Sequence, residues 1–312
     1  MPNQPRYAER VSATIGVDAG QTGIRLRFDD GARRVGADLA GVLTDRPLMP
    51  QLAAAIAGFV EANGLHPQAV GVGCSGVVTP EATELASLLV GTGVQRVAVA
   101  HDATTSYLGA LGDRPGAVIA VGTGVVTLAV GRTSVARVDG WGYLLGDAGS
   151  AFWIGRAGMD AAMRAFDGRG EPTALLERFT VLFADPAAAY IELQGDERRV
   201  SRIASFSKVV DDVAAEGDPV ALGIVAAAGH EHAASVLAGL GRVGLLDGPP
   251  PPVCALGNVL RSERIRGAFI QRLRDHWPGI EFTEPAGTGL DGAELVASLP
   301  ASSALSGLVA VA

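Results

Sequence analysis

The sequence predicts an α/β protein organised as two domains. Three observations support this: short apolar runs alternate with segments of helical pattern, several runs end in glycine or an acidic residue, and a strand–turn–strand pattern at residues 14–28 returns at 117–130. The chain has 312 residues, of which 48% are hydrophobic and 19% charged. This size and composition suit two buried cores and argue against disorder or a coiled coil.

In the first half, the order of elements fits a domain with a central sheet. Residues 14–18 and 24–28 form a predicted hairpin, because a glycine-rich turn separates an apolar run from an alternating one. A Rossmann fingerprint would need a helix after that turn, so the pattern argues against that fold. The other predicted elements are helix 47–63, strand 70–75, a helix beginning at 79–81, strand 97–100 and helix 103–111.

Residues 113–116 (Asp-Arg-Pro-Gly) form the predicted domain boundary, because the hairpin pattern starts again directly after them. We expect an N-terminal domain at 12–115 and a C-terminal domain at 116–312, whose last helix could pack back on the first domain. The predicted elements of the second domain are strands 117–121, 126–130, 253–256 and 280–282, and helices 150–166, 218–240, 262–276 and 290–299.

Composition excludes several classes of function. The net charge of −8 argues against nucleic acid or an anionic membrane as the main partner. We find neither a signal peptide nor a transmembrane pattern, and the two cysteines are far apart, so we expect a reduced cytoplasmic protein. Lys208 is the only lysine, so a Walker A loop is excluded and any phosphate must be held by backbone amides, arginine or metal.

Two glycine-rich turns are candidate phosphate sites. The first contains Gly20, Gln21, Thr22 and Gly23, whose backbone N–H groups could form an anion nest. Asp18, at the end of the preceding strand, could hold a hydrated Mg²⁺. The second turn, residues 122–124, has the same chemistry. Each turn alone could be an ordinary glycine turn, whereas the pair could grip a polyphosphate from two sides.

Asp102 follows a buried strand just before the domain boundary. Carboxylates at the carboxyl ends of sheet strands face the crevice where α/β proteins bind ligands, so Asp102 could be a general base. Its position alone favours a second role as the N-cap of helix 103–111, and the two roles can coexist. We expect the adjacent His101 to line the site rather than to form a catalytic dyad.

Residues 140–150 form the most unusual segment, with four glycines, two aromatic residues and one carboxylate. Such a segment is typical of a loop that shapes a polar pocket before a helix. By contrast, His230-Glu231-His232 has i, i+2 spacing, which places the two imidazoles on different helix faces. We interpret it as a solvated face, and Cys74 as a small buried residue.

These motifs together resemble the superfamily of sugar kinases, actin and heat-shock ATPases, and most closely the N-acetylglucosamine kinases of the BadF/BadG/BcrA/BcrD type. The similar segments, in family order, are residues 16–23, 101–103, 120–124, 140–155 and 256–259, within a similarity that runs from about residue 12 to 299. The chain departs from the usual family residues at Ala19, Gln21, Ala148 and Asn258. The cysteines do not match the iron–sulfur branch of the family.

The resemblance implies two actin-like (ribonuclease H-like) ATPase domains flanking a nucleotide cleft, and transfer of the γ-phosphoryl group of Mg-ATP to the 6-hydroxyl of an amino sugar. The implied roles are Asp102 as general base; Gly20, Gln21, Thr22, Gly23, Gly122, Thr123 and Gly124 on the ATP phosphates; Gly257 and Asn258 on adenosine; Ser75, Trp141, Asp147 and Asp45 on the sugar; and Asp18 on Mg²⁺ through water.

Several alternatives stay open. The sugar could be N-acetylglucosamine, glucosamine or a muramic-type sugar. A rival function from another class is a nucleotide-dependent regulatory ATPase that acts on a protein partner. With the kinase we expect ATP and an amino sugar as small-molecule partners, a homodimer, and neither nucleic acid nor membrane.

Overall fold

A computed structural model describes residues 13–20, 23–43, 45–76 and 81–312. Its strands are β1 (Thr14–Ala19), β2 (Ile24–Asp29), β3 (Arg34–Leu39), β4 (Ala69–Cys74), β5 (Arg96–His101), β6 (Gly116–Val121), β7 (Val125–Val130), β8 (Val135–Val138), β9 (Val253–Leu256) and β10 (Val309–Val311). Its α-helices are α1 (Leu48–Asn63), α2 (Thr83–Leu88), α3 (Asp102–Leu111), α4 (Ala151–Phe166), α5 (Leu175–Leu182), α6 (Ala189–Gly195), α7 (Arg199–Ala215), α8 (Pro219–Arg242), α9 (Glu263–Arg274) and α10 (Gly289–Val296).

The chain divides into two compact units. Unit 1 takes in the described residues up to Val118, together with Val130–Val135 and Glu284–Ala312. Unit 2 comprises Ile119–Ala129 and Ala136–Thr283. Residues 284–312, which the sequence analysis placed at the end of the second domain, therefore lie in unit 1.

Unit 1 is built on a six-stranded sheet in the order β10-β5-β4-β1-β2-β3. β1, β4 and β5 run parallel to one another, whereas β2, β3 and β10 pair antiparallel with their neighbours. Every residue of β4 is buried, as expected of a central strand covered on both faces. The predicted hairpin of β1 and β2 is confirmed, with Asp18 opposite Arg25 in the register.

The C-terminal segment completes unit 1. α10 packs against α3, β1 and β4, and its backbone approaches α3 so closely that a Cβ on Gly292 would lie 1.7 Å from the carbonyl oxygen of Thr105. Arg27 of β2 forms ion pairs with Asp291, at 2.7 Å, and with Glu294. β10 then pairs with β5 at the sheet edge. Close glycine contacts and ion pairs thus help to hold this segment, together with buried apolar residues such as Val296 and Leu305.

Unit 2 combines a four-stranded sheet, in the order β8-β7-β6-β9, with a layer of helices. α4 packs against α5, α7 and α8, and α8 packs against α7 and α9. α4 begins where predicted, because the side chain of Ser150 accepts a hydrogen bond from the Trp153 backbone N–H. Asp218 caps α8 in the same way, with Pro219 at its first position.

Among the residues that the structure describes, one helix, α8, has the length and hydropathy of a membrane span. Within unit 2 it packs against neighbouring helices, and residues such as Val225, His232 and Val236 are buried. Packing in the helical layer accounts for its apolar composition.

The structure corrects one predicted strand, leaves one predicted helix start untested and adds helices that the sequence analysis did not identify. Residues 280–282 form no strand; only Thr283 donates a backbone hydrogen bond to Val253, at 2.9 Å, which is too little for a ladder. α2 begins at Thr83, and the predicted start at Thr79 and Pro80 lies outside the described residues. α5, α6 and α7 were not predicted, although the buried Phe206, Val210 and Val213 of α7 have helical spacing.

Candidate active site

Three candidate residues of unit 1 meet at one edge of its sheet. Because β1, β4 and β5 are parallel, their carboxyl ends coincide: Ala19 is opposite Cys74, and Cys74 is opposite His101. Asp18 precedes Ala19, while Ser75 and Asp102 directly follow β4 and β5. The fold therefore gathers Asp18, Ser75 and Asp102, as carboxyl strand ends in α/β proteins commonly gather ligand-binding groups.

The Asp18 carboxylate has a mixed electrostatic environment. Burial raises its pKa above the ordinary value; the Arg25 guanidinium, which forms an ion pair with it, opposes the rise, and the Asp102 carboxylate adds to it. Burial raises the pKa of Cys74 to about 11, and the Asp102 and Asp18 carboxylates add to the rise. Cys74 is therefore a neutral buried thiol, as predicted, and the two carboxylates act on the same small region.

Asp102 is the first residue of α3 rather than its N-cap. The cap is His101, whose Nδ1 lies 3.1 Å from the Ala103 backbone nitrogen and 2.7 Å from Oδ1 of Asp102. Nδ1 can accept from Ala103 when it is unprotonated, or donate to Asp102 when it carries the hydrogen. The N-cap role that the sequence analysis offered as the alternative for Asp102 thus belongs to His101. The Asp102 carboxylate is half-exposed and can be reached from solvent.

The first glycine turn borders a cavity of about 410 Å³. Gly20 donates a backbone hydrogen bond to Gly23, at 2.9 Å, which closes the turn. Gln21 and Thr22 lie outside the described residues, so their predicted phosphate contacts stay predictions. The carboxylates of Asp18 and Asp38 line the cavity, and Mg²⁺ characteristically binds one or two carboxylates while keeping waters and phosphate oxygens. The residues present therefore fit a hydrated Mg²⁺ carried by a nucleotide.

The other two unit 1 candidates differ in their surroundings. Ser75 is half-buried beside the first turn; its Oγ would lie 3.8 Å from a Cβ built on Gly20. Asp45 is exposed in the turn before α1. Ser75 thus lies near the strand-end carboxylates because it directly follows β4. Asp45 lies in a loop.

The second glycine turn is braced by the start of α4. Gly122 donates to the carbonyl of Gly124, at 2.8 Å, and the backbone N–H groups of Ala151 and Phe152 donate to the carbonyls of Gly122 and Thr123 at 2.9 and 3.3 Å. The first amides of α4 are consequently occupied by the turn. The anion-binding capacity of the second glycine turn must therefore come from the amides of Thr123 and Gly124 and from the Thr123 hydroxyl.

Gly122, Thr123 and Asn258 line one cavity of about 640 Å³ within unit 2. The structure thus brings together the second glycine turn and the predicted adenosine motif, which are more than 130 residues apart in the chain. The size is that of a small-molecule site. Gly257, next to Asn258, has φ of +102°, and a Cβ there would lie 2.1 Å from the Val121 carbonyl oxygen.

Sequence reasoning missed the polar wall of this cavity, which comes from α7 and the start of α9. Ser262 Oγ donates to Asp211 at 2.6 Å, and Lys208 pairs with Asp212 at 2.7 Å. Both pairs line the cavity. The one available signal was the position of the sole lysine, Lys208, within an unassigned helical segment.

The loop between β8 and α4 holds the two remaining sugar candidates. Trp141 is 60% exposed, and the Arg137 guanidinium carbon lies 5.1 Å from its ring centroid. Asp147 is buried; burial raises its pKa, and hydrogen bonds from the backbone of Val125 and Gly142 oppose that rise. Its carboxylate therefore faces the strand after the second glycine turn.

His232 does not lie on a solvated face, as the sequence analysis expected. His230 is exposed, but His232 is fully buried and its Nε2 lies 2.9 Å from the carbonyl oxygen of Gly149. Nε2 must carry the hydrogen, since a carbonyl only accepts. The i, i+2 spacing correctly separated the two rings, but α9 covers one of them, with Phe269 against the His232 ring.

Comparisons with known proteins agree with this architecture. A model of the BadF/BadG/BcrA/BcrD ATPase family matches residues 15–297. The N-acetylmuramic acid/N-acetylglucosamine kinase of Clostridium acetobutylicum is 33% identical over 150 residues, which is 46% of this chain and 48% of that protein. The alignment thus spans about half the length of that curated relative.

Solved structures show the same fold. A protein proposed to be an N-acetylglucosamine kinase, from Chromobacterium violaceum, superposes with a TM-score of 0.69 at 24% identity, covering 92% of this chain and 99% of that one. The ROK family glucokinase of Streptomyces griseus, solved with glucose and AMPPNP, gives 0.52 at 20% identity, covering 92% and 98%. The predicted α/β fold class is confirmed, with sugar kinases as fold neighbours.

Proposed function

The chain belongs to the BadF/BadG/BcrA/BcrD ATPase family, and on that premise we propose that it is an ATP-dependent kinase of amino sugars. It transfers the γ-phosphoryl group to the 6-hydroxyl of N-acetylglucosamine or of a close relative such as glucosamine or N-acetylmuramic acid. The observation that carries the proposal is the pair of carboxylates, Asp18 and Asp102, at the carboxyl ends of β1 and β5, the two strands that flank β4 in the sheet of unit 1.

In this proposal, Asp102 accepts the proton of the acceptor hydroxyl as that oxygen attacks the γ-phosphorus. Its partly exposed carboxylate can reach a bound substrate, and His101 restrains it from the other side. Asp18 holds a hydrated Mg²⁺, which when bound neutralises the phosphate charge. The Arg25 guanidinium, which pairs with the same carboxylate, would compete with a metal ion for Asp18.

Unit 2 supplies the nucleotide contacts. The amides of Thr123 and Gly124 and the Thr123 hydroxyl bind phosphate oxygens, while the Gly122 amide closes the turn on the Gly124 carbonyl and Gly122, without a side chain, leaves the phosphates room to approach. The nucleoside occupies the 640 Å³ cavity, next to Asn258 and the polar pairs of α7. Phosphoryl transfer needs positioning and charge neutralisation more than covalent chemistry, and this set supplies both.

In unit 2, the proposed acceptor contacts lie in the loop after β8. The exposed Trp141 ring can take the apolar face of a sugar. Asp147 already accepts two backbone hydrogen bonds, but a carboxylate has about four acceptor sites, so lone pairs remain for sugar hydroxyls. Ser75 and Asp45 complete the proposed sugar contacts.

A sugar panel tests the proposed function. The chain is incubated with Mg-ATP and, separately, N-acetylglucosamine, N-acetylmuramic acid, glucosamine, glucose or no sugar, with ADP release followed by a coupled assay. We expect ADP release with at least one amino sugar, and NMR of the product should show phosphate at the 6-position. ADP release that is equal with and without every sugar would contradict the kinase and favour the regulatory ATPase.

The Asp102→Asn variant tests the general base. Turnover should fall about 10²–10⁴-fold, because the amide cannot accept the proton, while ATP affinity stays within a few-fold. Asp167→Asn, at the exposed C-terminal end of α4, is the matched control and should retain activity. Turnover of Asp102→Asn within threefold of the parent would remove Asp102 from the mechanism.

A further inference from the structure

One side chain, Asp139, gathers both ends of the loop that follows β8. Its Oδ1 accepts hydrogen bonds from the backbone nitrogens of Gly140 and Asp147, each at 2.7 Å, and its Oδ2 accepts from Ala148 at 3.0 Å. Residues 140 and 148 are eight positions apart, so a single carboxylate closes the whole loop. Bonds from amides to an ionised carboxylate are stronger than those between neutral groups.

The backbone is committed to this arrangement. Asp139 has φ of +58°, in the left-handed region that non-glycine residues seldom adopt. A Cβ on Gly146 would lie 2.4 Å from Oδ1 of Asp139, so the loop leaves no room for a side chain there. Within the loop, Leu145 and Gly146 donate to the carbonyl of Gly142, which folds its middle into a turn. The carboxylate thus sits at the centre of a compact ring of backbone.

The two proposed sugar contacts of unit 2, Trp141 and Asp147, lie near opposite ends of the loop that Asp139 closes. Trp141 follows Gly140. The Gly140 amide donates a hydrogen bond to Asp139, and the Gly140 carbonyl accepts one from Arg137. Asp147 donates its own amide to Asp139 while its carboxylate faces Val125. Any movement of Asp139 therefore shifts both side chains. It changes the distance between them and their positions relative to the second glycine turn.

We propose that Asp139 is the positioning residue that sets acceptor recognition by holding Trp141 and Asp147 in a fixed mutual geometry. The inference rests on the proposed sugar-kinase function, but its structural half concerns the loop alone. Asp139 itself touches no reacting atom. Its loss should weaken acceptor recognition selectively, while the cavity at Asn258 and the carboxylates of unit 1 keep their own supports.

Two substitutions separate the carboxylate from the backbone conformation. Asp139→Gly accepts φ of +58° without strain and removes both acceptor oxygens, and with them all three hydrogen bonds. Asp139→Asn also tolerates this conformation and keeps one acceptor oxygen, which can serve Gly140 and Asp147 but not Ala148. Asp30→Gly is the matched control, because Asp30 likewise accepts two backbone hydrogen bonds, from Ala32 and Arg33, in the exposed turn between β2 and β3.

The kinetic test compares the KM of the acceptor sugar with the KM of ATP. Asp139→Gly should raise the sugar KM about tenfold or more, since small displacements of positioning groups are costly, with the ATP KM within threefold. Asp139→Asn should lie between it and the parent, and Asp30→Gly should match the parent. Equal changes in both KM values, or an unchanged sugar KM, would overturn the proposal.

A second measurement does not depend on activity. Hydrogen exchange of the backbone amides at 140, 147 and 148 should accelerate at least about tenfold in Asp139→Gly, while amides of β6 and α7 stay protected. Unchanged exchange there would overturn the positioning role whatever the parent phosphorylates. If the parent phosphorylates no sugar but the loop amides exchange faster, the proposed function fails and the acceptor half of this inference fails with it.

Discussion

The buried imidazole of His232 shows how one residue can link two elements of unit 2. Its Nε2 donates to the carbonyl of Gly149, directly before the Ser150 cap of α4, while Nδ1 is buried without a hydrogen-bond partner among the described residues. Burial lowers the pKa of His232 to about 4, and the hydrogen bond to Gly149 opposes this effect. At neutral pH the ring is therefore uncharged.

This environment predicts a pH-dependent stability. The ordinary histidine pKa is 6.5. As the pH falls from 6.5 towards 4, His232 therefore binds a proton in the unfolded chain but stays neutral in the folded chain. The free energy of unfolding should fall by about 3 kcal/mol across this window, from the 1.36 kcal/mol that each pKa unit represents. Urea unfolding at pH 4.5, 5.5 and 6.5 measures it.

Two variants identify the responsible group. His232→Gln keeps an amide donor towards Gly149 but does not titrate, so the slope between pH 4.5 and 6.5 should flatten. His230→Gln alters an exposed imidazole on the same helix and should leave the slope as in the parent. An equally steep slope in His232→Gln would show that another group causes the acid sensitivity.

Among the elements, the second glycine turn and the end of β9 depend on close backbone approach. The first two amides of α4 donate hydrogen bonds to the carbonyls of the turn. Gly257 lies against the Val121 carbonyl and has φ of +102°. This contact places Asn258 on the same cavity as Gly122 and Thr123. The glycine is needed for two independent reasons, the contact distance and the left-handed conformation.

Gly257→Ala should therefore be strongly destabilising. The new methyl would lie 2.1 Å from a backbone oxygen that cannot rotate away, and the positive φ adds strain, so we expect a loss of at least about 2 kcal/mol. ATP affinity of the folded fraction should also fall. Thermal unfolding and calorimetric titration measure the two effects.

Gly267→Ala is the matched control. Gly267 lies inside α9, where a Cβ would meet nothing within 4 Å, so alanine should stabilise by about 0.5–1 kcal/mol. Equal stabilities for the two variants would mean that β9 can move away from β6 at little cost.

At the scale of the whole molecule, unit 1 is assembled from both ends of the described chain. Arg27 reaches Asp291 and Glu294, Arg96 donates to the carbonyl of Ala297 at 2.8 Å, and β10 pairs with β5. The pKa of Asp291 falls to about 2: burial would raise it, but hydrogen bonds from Thr288 and Arg27 outweigh burial. These contacts make the C-terminal segment part of the first sheet's core.

Deleting residues 284–312 should therefore unfold unit 1 selectively. Amides of β1 and β4 should lose protection from hydrogen exchange, because α10 packs on both strands, while α4 and α7 of unit 2 stay protected. A milder deletion of residues 300–312 removes β10 but leaves α10 and should reduce protection mainly in β5. Retained protection of β1 and β4 in the longer deletion would contradict this assembly.

How much of this was predictable depends on the range of the interactions. The hairpin of β1 and β2, the start of α4 at Ser150 and the start of α8 at Asp218 follow from local periodicity and capping residues, and all are confirmed. The fold class and the family also follow, because motif residues keep their order along the chain. The roles of the individual site residues remain predictions.

Features that depend on distant contacts could not be predicted. The burial of His232 requires Gly149 and Phe269, and the role of Asp139 requires amides up to nine positions away that a turn residue would not ordinarily reach. The cavity beside Asn258 is walled by α7, whose weak amphipathic pattern was not recognised. Local sequence determined the first hairpin and the caps of α4 and α8, because those depend on neighbouring residues. Only the tertiary structure decided which polar groups are buried and which meet, because that depends on packing between segments far apart in the chain.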